Sequence, residues 1–274
     1  PDQIERIEIL RAPTAETGAR AIAGTINIVT REGFVRRIND VVATLGEENG
    51  QWQPGLSFTR NDTVGTLIYN VSASINRNAF ENEDRLITTQ DDPSTGTLRQ
   101  LQQEDSVSRG RNLRSSATAR VQQRLPDGML TLAPFLLDVR SDSARRAQLT
   151  QPVGSTPPLY AGADSTREGR FSLARINTSW RHRFAGGATV ESRLNFGEGR
   201  NESDSLRRET DAAGSLLRSF DDRIRSRQRG GDLGTKLSFA LGSGHSLVAG
   251  AEIETAQREE TRSTLQDGVA QATD

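Results

Sequence analysis

Between Thr63 and Arg77 the chain keeps a strict alternation. Leu67, Tyr69, Val71, Ala73 and Ile75 stand against Ile68, Asn70, Ser72, Ser74 and Asn76. A period of two puts the two sets on opposite faces of an extended strand, one apolar and one mostly polar. The pattern returns along the chain. Trp52, Pro54, Leu56 and Phe58 oppose Gln53, Gly55, Ser57 and Thr59, and Ala117, Ala119 and Val121 oppose Ser116, Thr118, Arg120 and Gln122. Ala174, Ile176, Thr178, Trp180 and Phe184 oppose a run of Arg, Asn and Ser, while Val190, Leu194 and Phe196 oppose Glu191, Arg193 and Asn195. Leu233, Thr235, Leu237, Phe239 and Leu241 form one further parity, and Leu247, Ala249, Ala251 and Ile253 another. With the strands expected over 36–47 and 129–142, this makes about nine strands.

The connections between them fall into two classes. Asn61-Asp62, Pro126-Asp127-Gly128, Gly186-Gly187 and Gly242-Ser243-Gly244 predict tight turns, whereas 78–105, 143–165 and 199–222 read as long polar loops. Short and long connections in strict order are how an up-and-down outer-membrane barrel is threaded, with the short turns at one end. Phe58, Trp180, Phe184 and Phe239 would then lie near the short-turn end, where an aromatic girdle belongs. The composition of 274 residues, 33% hydrophobic and 26% charged with a formal net charge of −1, fits a soluble β-rich module and equally a barrel with a wet interior. No apolar run is long enough for a transmembrane helix.

Cysteine is absent, so neither disulfides nor thiolate chemistry enters. His182 and His245 each stand alone, no GxSxG elbow surrounds a serine, and Gly242 and Gly244 form a lone GxG better read as a turn. Catalysis, a metal site, a cofactor and a nucleic-acid partner are therefore not expected. Glu81, Glu83, Asp84, Asp91, Asp92, Glu104 and Asp105 crowd one stretch without the spacing of a calcium loop, which reads as a solvated acidic loop or as a lure for a cationic ligand. Lys236 is the single lysine among 35 basic residues. That bias toward arginine suits a lumen or loops meeting anionic lipid headgroups, and equally a bias in base composition.

The segment Ile4 to Arg31, IERIEILRAPTAETGARAIAGTINIVTR, differs from all that follows: two short strands flank a turn region holding Pro13, Gly18 and Gly24. It resembles the end of the plug domain of TonB-dependent outer-membrane receptors, which commonly reads IERIEVLRGP, then small residues, then GGxINIxTK. Ile4 to Glu8, Leu10, Arg11, Pro13, Ala15, Gly18, Ala21, Gly24, Ile26, Asn27, Ile28 and Thr30 match; Ala12, Thr17, Arg20 and Ala23 depart.

The resemblance implies an all-β chain: the C-terminal part of a plug over 1–34 and, over 35–274, the first part of an antiparallel transmembrane up-and-down barrel. A complete plugged transporter has about 22 strands. It further implies uptake of a scarce ligand across the bacterial outer membrane, most often a ferric siderophore, driven through the TonB energy-coupling complex, with the TonB-contacting segment and export signal ahead of Pro1. Outer-membrane lipid and lipopolysaccharide would be its surroundings. Arg11 would fasten plug to wall, with Glu252 and Glu254 as candidate lumen partners and Pro13, Gly18, Gly24 and Asn27 shaping the plug motif. A passive porin is the competing expectation, and the segment Ile4 to Arg31 argues against it.

Overall fold

The computed structural model describes residues 4–10, 25–30, 37–240 and 245–271, with side-chain surroundings from residue 37 onward. Every described element is a strand. β1 (Ile4–Leu10) and β2 (Thr25–Thr30) form an antiparallel pair of their own, with Ile7 opposite Ile28 and Glu8 opposite Asn27. The remaining strands make one sheet in chain order: β3 (Ile38–Glu48), β4 (Gln51–Val64), β5 (Leu67–Asp91), β6 (Leu98–Leu125), β7 (Gly128–Val153), β8 (Gly162–Arg183), β9 (Thr189–Thr210), β10 (Leu216–Ala240), β11 (Ser246–Gln266) and β12 (Val269–Ala270). All ten are antiparallel neighbours and the sheet is open, with β3 at one edge and β11 with its two-residue partner β12 at the other.

The nine expected strands are all present, but their limits are not those of the alternation. β4 continues through Asn61 and Asp62 and turns at Gly65, whose φ of 59° favours glycine, so the tight turn lies four residues later than expected. Phe58 consequently sits opposite Ala73 within the sheet, away from the turn, and does not belong to a girdle there. The three expected long loops are mostly strand: β5 and β6 pair from Ala79 to Asp91, leaving only residues 92–97 as a connection. Likewise β7 runs to Val153, and β9 and β10 leave only 211–215 between them.

β5 to β11 are 21 to 28 residues long, about twice or more the roughly 9–11 residues that a tilted strand needs to cross a bilayer. Two-residue hairpins at Asn49-Gly50 and Asp267-Gly268 carry positive φ at both positions (50° and 75°; 52° and 80°), the turn that matches the right-handed twist of paired strands.

Two faces of the sheet and a candidate ligand-facing surface

Register decides which side chains share a face. One row runs Tyr69, Val121, Leu132, Thr178, Leu194, Leu233 and Ile253 across β5 to β11. A second row on the same face, four residues further along each shared strand, runs Val41, Phe58, Ala73, Ala117, Leu136 and Ala174 across β3 to β8. The apolar parities read from sequence thus meet on a single face as one continuous band. Its side chains stay open: Val41 is 69% and Ile253 72% exposed, where a soluble fold would bury them. Near the turn at 184–188, Trp180 stacks on His182 with ring centroids 5.8 Å apart, and Phe184 meets His182 edge-on at 4.7 Å. At the other border the face changes abruptly to Arg, Asp and Glu.

The opposite face is polar over the same height. Thr59 and Ser72 hydroxyls lie 3.2 Å apart, and those of Ser74 and Ser116 2.9 Å. Glu191 stands between Arg181 at 3.4 Å and Lys236 at 3.3 Å, and Asn195 donates to Asp232 at 2.8 Å. Arg193, Gly234 and Glu252 form one row, with the ion pair spanning the glycine at 3.6 Å. Ser106, Thr131, Ala147, Ala163, Ser203 and Glu209 are buried on this face; Ala79 alone is buried on the other among the described residues.

Beyond the apolar band, the polar face gathers a compact cluster. Glu209, 5% exposed at its side chain, lies between Arg207 (2.8 Å) and Arg218. The Arg207 guanidinium sits 5.0 Å from the Tyr160 ring centroid, and the Tyr160 hydroxyl donates to Glu104. Arg145 donates to Glu104 at 2.7 Å and to Ser106 at 3.0 Å, while Arg218 stands 5.6 Å from the Phe220 ring centroid. Burial raises the Tyr160 phenol above its ordinary value, and its bond to Glu104 adds to this. Three guanidiniums and two aromatic rings around two carboxylates suit reversible binding of an anionic or aromatic ligand by hydrogen bonds and stacking.

Sequence reasoning places Glu252 correctly on the polar face, but its partner among the described residues is Arg193. Glu254 shares that face and is engaged as well. Arg11, Pro13, Gly18 and Gly24 lie outside the described residues, and Asn27 lies in β2 with its backbone opposite Glu8. The acidic stretch is not a loop: Glu81 pairs with Arg109 at 2.7 Å and Asp105 with Arg85 at 2.6 Å across β5 and β6, while Asp92 pairs with Arg99. No three potential metal ligands come together among the described residues.

From sequence Glu104 reads only as one charge of the acidic stretch; Arg145, Arg207, Glu209 and Arg218 carry no signal because they fall in stretches polar on both parities, and Tyr160 lies in the connection between β7 and β8. Opposite charges on paired positions would have marked them, but pairing needs the register. A concavity of about 990 Å³, lined by Arg85, Asp105, Arg109, Arg146 and Asp164, opens mainly on the face that carries the apolar band, and Ser106 and Arg145 of the cluster also border it. No protein-family model matches the chain, and no curated protein matches it.

Proposed function

We propose that the chain is wall and stopper of a TonB-dependent receptor of the bacterial outer membrane, taking up a scarce ligand such as a ferric siderophore. The observation that carries the reading is the continuous, exposed apolar band on one face of a ten-stranded up-and-down sheet whose other face is polar. A band of this kind is stable where it meets hydrocarbon, and strands can cross a bilayer only with every backbone group paired. Leu67 to Ile75 is a nine-residue stretch, close to one tilted crossing. Crowding on the polar face is what curvature toward that face produces, which makes it the lumen. Closure would then come from strands that pair with β3 and β11, which as open edges invite pairing. The hairpin β1–β2, in the segment Ile4 to Arg31, would be the end of the plug over 1–34, and 35–274 the start of the barrel.

The long extensions rise on the outer side, and the Glu104–Tyr160–Arg207–Glu209–Arg218 cluster faces inward above the membrane, where an incoming anionic ligand would first be held. Energised transport and passive diffusion part company in one experiment. Uptake of iron-loaded siderophore by cells expressing the protein under iron limitation should collapse when a protonophore dissipates the inner-membrane potential. Uptake that persists undiminished would instead indicate a passive pore.

A further inference from the structure

β7 is apolar on both parities, and its second parity interrupts the polar face. Leu137 lies opposite Leu173 and Val139 opposite Phe171, in successive rows that begin at Ser116 and Arg114 on β6. Phe135 precedes them on the same face, opposite Thr118. Phe171 is 39% exposed and the other four are half-buried, so an apolar island stands open among Ser, Asn and Arg. The bilayer would meet the other face, so what covers this island has to be apolar and come from the polar side.

Beside the island, β9 leaves the space over the sheet unfilled. A Cβ on Gly199 would stand 3.8 Å from Leu173 Cδ1, and Gly197 faces Gly230 in the neighbouring row. From Gly199 the same face of β9 continues through Asn201, Ser203 and Ser205 to Arg207, bordered by Ile224 on β10 opposite Ser203. Arg167 reaches over this track and donates to Ser203 Oγ at 3.1 Å. At the far end, Arg145, Arg207 and Arg218 engage Glu104 and Glu209. Counting Arg167 and Asp222, which lies opposite Ser205, the cations outnumber the carboxylates there by one. Asn201 lies opposite Phe171, and the rise from Asn201 to Arg207 is about 20 Å at the spacing of an extended strand.

We propose that island, track and cluster form one elongated site for an amphiphilic anion, with its acidic head at Arg207 and Arg218 and a straight acyl chain laid along β9 onto Phe171, Leu173 and Leu137. The proposal rests on the reading that this face is the lumen. Continuity selects the occupant. A headgroup alone would leave the island wet, and an uncharged hydrocarbon would leave the arginines unused. One molecule with a charged end and an apolar end satisfies both along a single strand whose small side chains keep the path open. An iron chelate bearing an acyl chain and a free long-chain acid share this chemistry.

The test uses the closed barrel in phosphatidylcholine discs and a ferric catecholate chelate whose hexadecanoyl chain ends in a photoreactive diazirine. A second probe replaces that chain by a diazirine-bearing acetyl group. After illumination, peptide mass spectrometry locates the adducts. The long probe should mark Leu137, Phe171 or Leu173, and the short probe only the surroundings of Tyr160 and Phe220. Arg207→Gln with Arg218→Gln should lower labelling of Leu137 by the long probe about tenfold. Phe171→Asn should lower it about fivefold and leave the adducts of the short probe unchanged, which a purely structural role for Phe171 would not do. Unlabelled hexadecanoic acid that suppresses island labelling by the long probe identifies the occupant as a free fatty acid, and labelling that resists it identifies an acylated chelate. Both results keep the site.

Long-probe adducts confined to Leu136, Ala174 and the rest of the band, or island adducts indifferent to the paired arginine changes, overturn the elongated site. The first is also the outcome if the hairpin β1–β2 covers the island. If the short probe still marks the cluster, a ligand-facing lumen stands without the acyl site. If neither probe marks the polar face, the lumen reading falls with it.

Discussion

Arg193 and Glu252 meet at 3.6 Å across Gly234, two strands apart on the polar face. The glycine makes this possible, because a Cβ there would stand 3.2 Å from Arg193 Nε and 3.9 Å from Glu252 Cγ. Both side chains are at least half exposed, so solvent screens the pair. A double-mutant cycle with Arg193→Met and Glu252→Gln, followed by urea unfolding from lipid vesicles, should give a coupling of about 0–1 kcal/mol. A coupling well above that range would mean that the surroundings of this pair are far drier than the sheet alone provides.

Neighbouring residues on β5 should respond in opposite ways to the same charge. Val71 lies in the apolar band and Ser72 on the polar face, one residue apart. On the proposed membrane reading, Val71→Arg should destabilise the closed barrel in vesicles by about 2–4 kcal/mol, the cost of an arginine near the bilayer midplane, and Ser72→Arg by far less. Urea titration of the folded fraction by tryptophan emission reads both. Equal costs at the two positions would remove the distinction between a lipid face and a lumen face.

The strands are legible in sequence only where one face carries apolar side chains and the other polar ones. There, Leu67 to Ile75 and Leu233 to Phe239 alternate, and the register confirms that both sets lie on one face. Beyond the band both faces are polar, so Ser203 to Thr210 and Leu98 to Ser108 carry no period of two although they are paired in the sheet, with register shifts at Gln90/Asp91, Leu101/Gln103 and Leu216/Arg218. What holds those extensions is the backbone ladder with charge matched across strands, such as Arg109 to Glu81 and Arg225 to Asp204 at 2.7 Å each. A single sequence does not show which residue faces which, so polar strand reads as polar loop. The turn at Gly65 was missed for a related reason: Asn61-Asp62 is a good turn pair, yet tertiary pairing with Asn70 and Tyr69 keeps it extended.

Tyr160 offers a pH signal that can be isolated, because Tyr69 is the only other tyrosine. Burial, aided by the bond to Glu104, raises the Tyr160 phenol above its ordinary value in the folded chain. A raised pKa means that the folded state holds the proton more tightly than the unfolded one. The resulting stability is fully present below the unfolded phenol pKa and is lost as pH rises through the folded one. In a Tyr69→Phe background, ultraviolet absorbance should show phenolate appearing later with rising pH than in the urea-unfolded chain. Glu104→Gln should bring the two titrations closer together. Coincident curves in the Tyr69→Phe chain would show that Tyr160 is not enclosed by the cluster.

Glu209 is the most enclosed charge of the same cluster, 5% exposed between Arg207 and Arg218, which are 31% and 29% exposed. Removing one member of such a group leaves the others uncompensated, a larger loss than the net worth of the intact triad. Glu209→Ala should therefore cost about 3 kcal/mol, near the low end for buried pairs because the arginines keep some solvent. Hydrogen exchange should quicken first at 205–220, where β9 and β10 turn. Replacing all three residues together with Met should restore most of the lost stability, since the penalty is unpaired charge and not missing volume. If the triple replacement is as damaging as Glu209→Ala alone, the cluster contributes specific hydrogen bonds that hold this rim in shape, and anionic ligand binding at Arg207 and Arg218 should disappear with it.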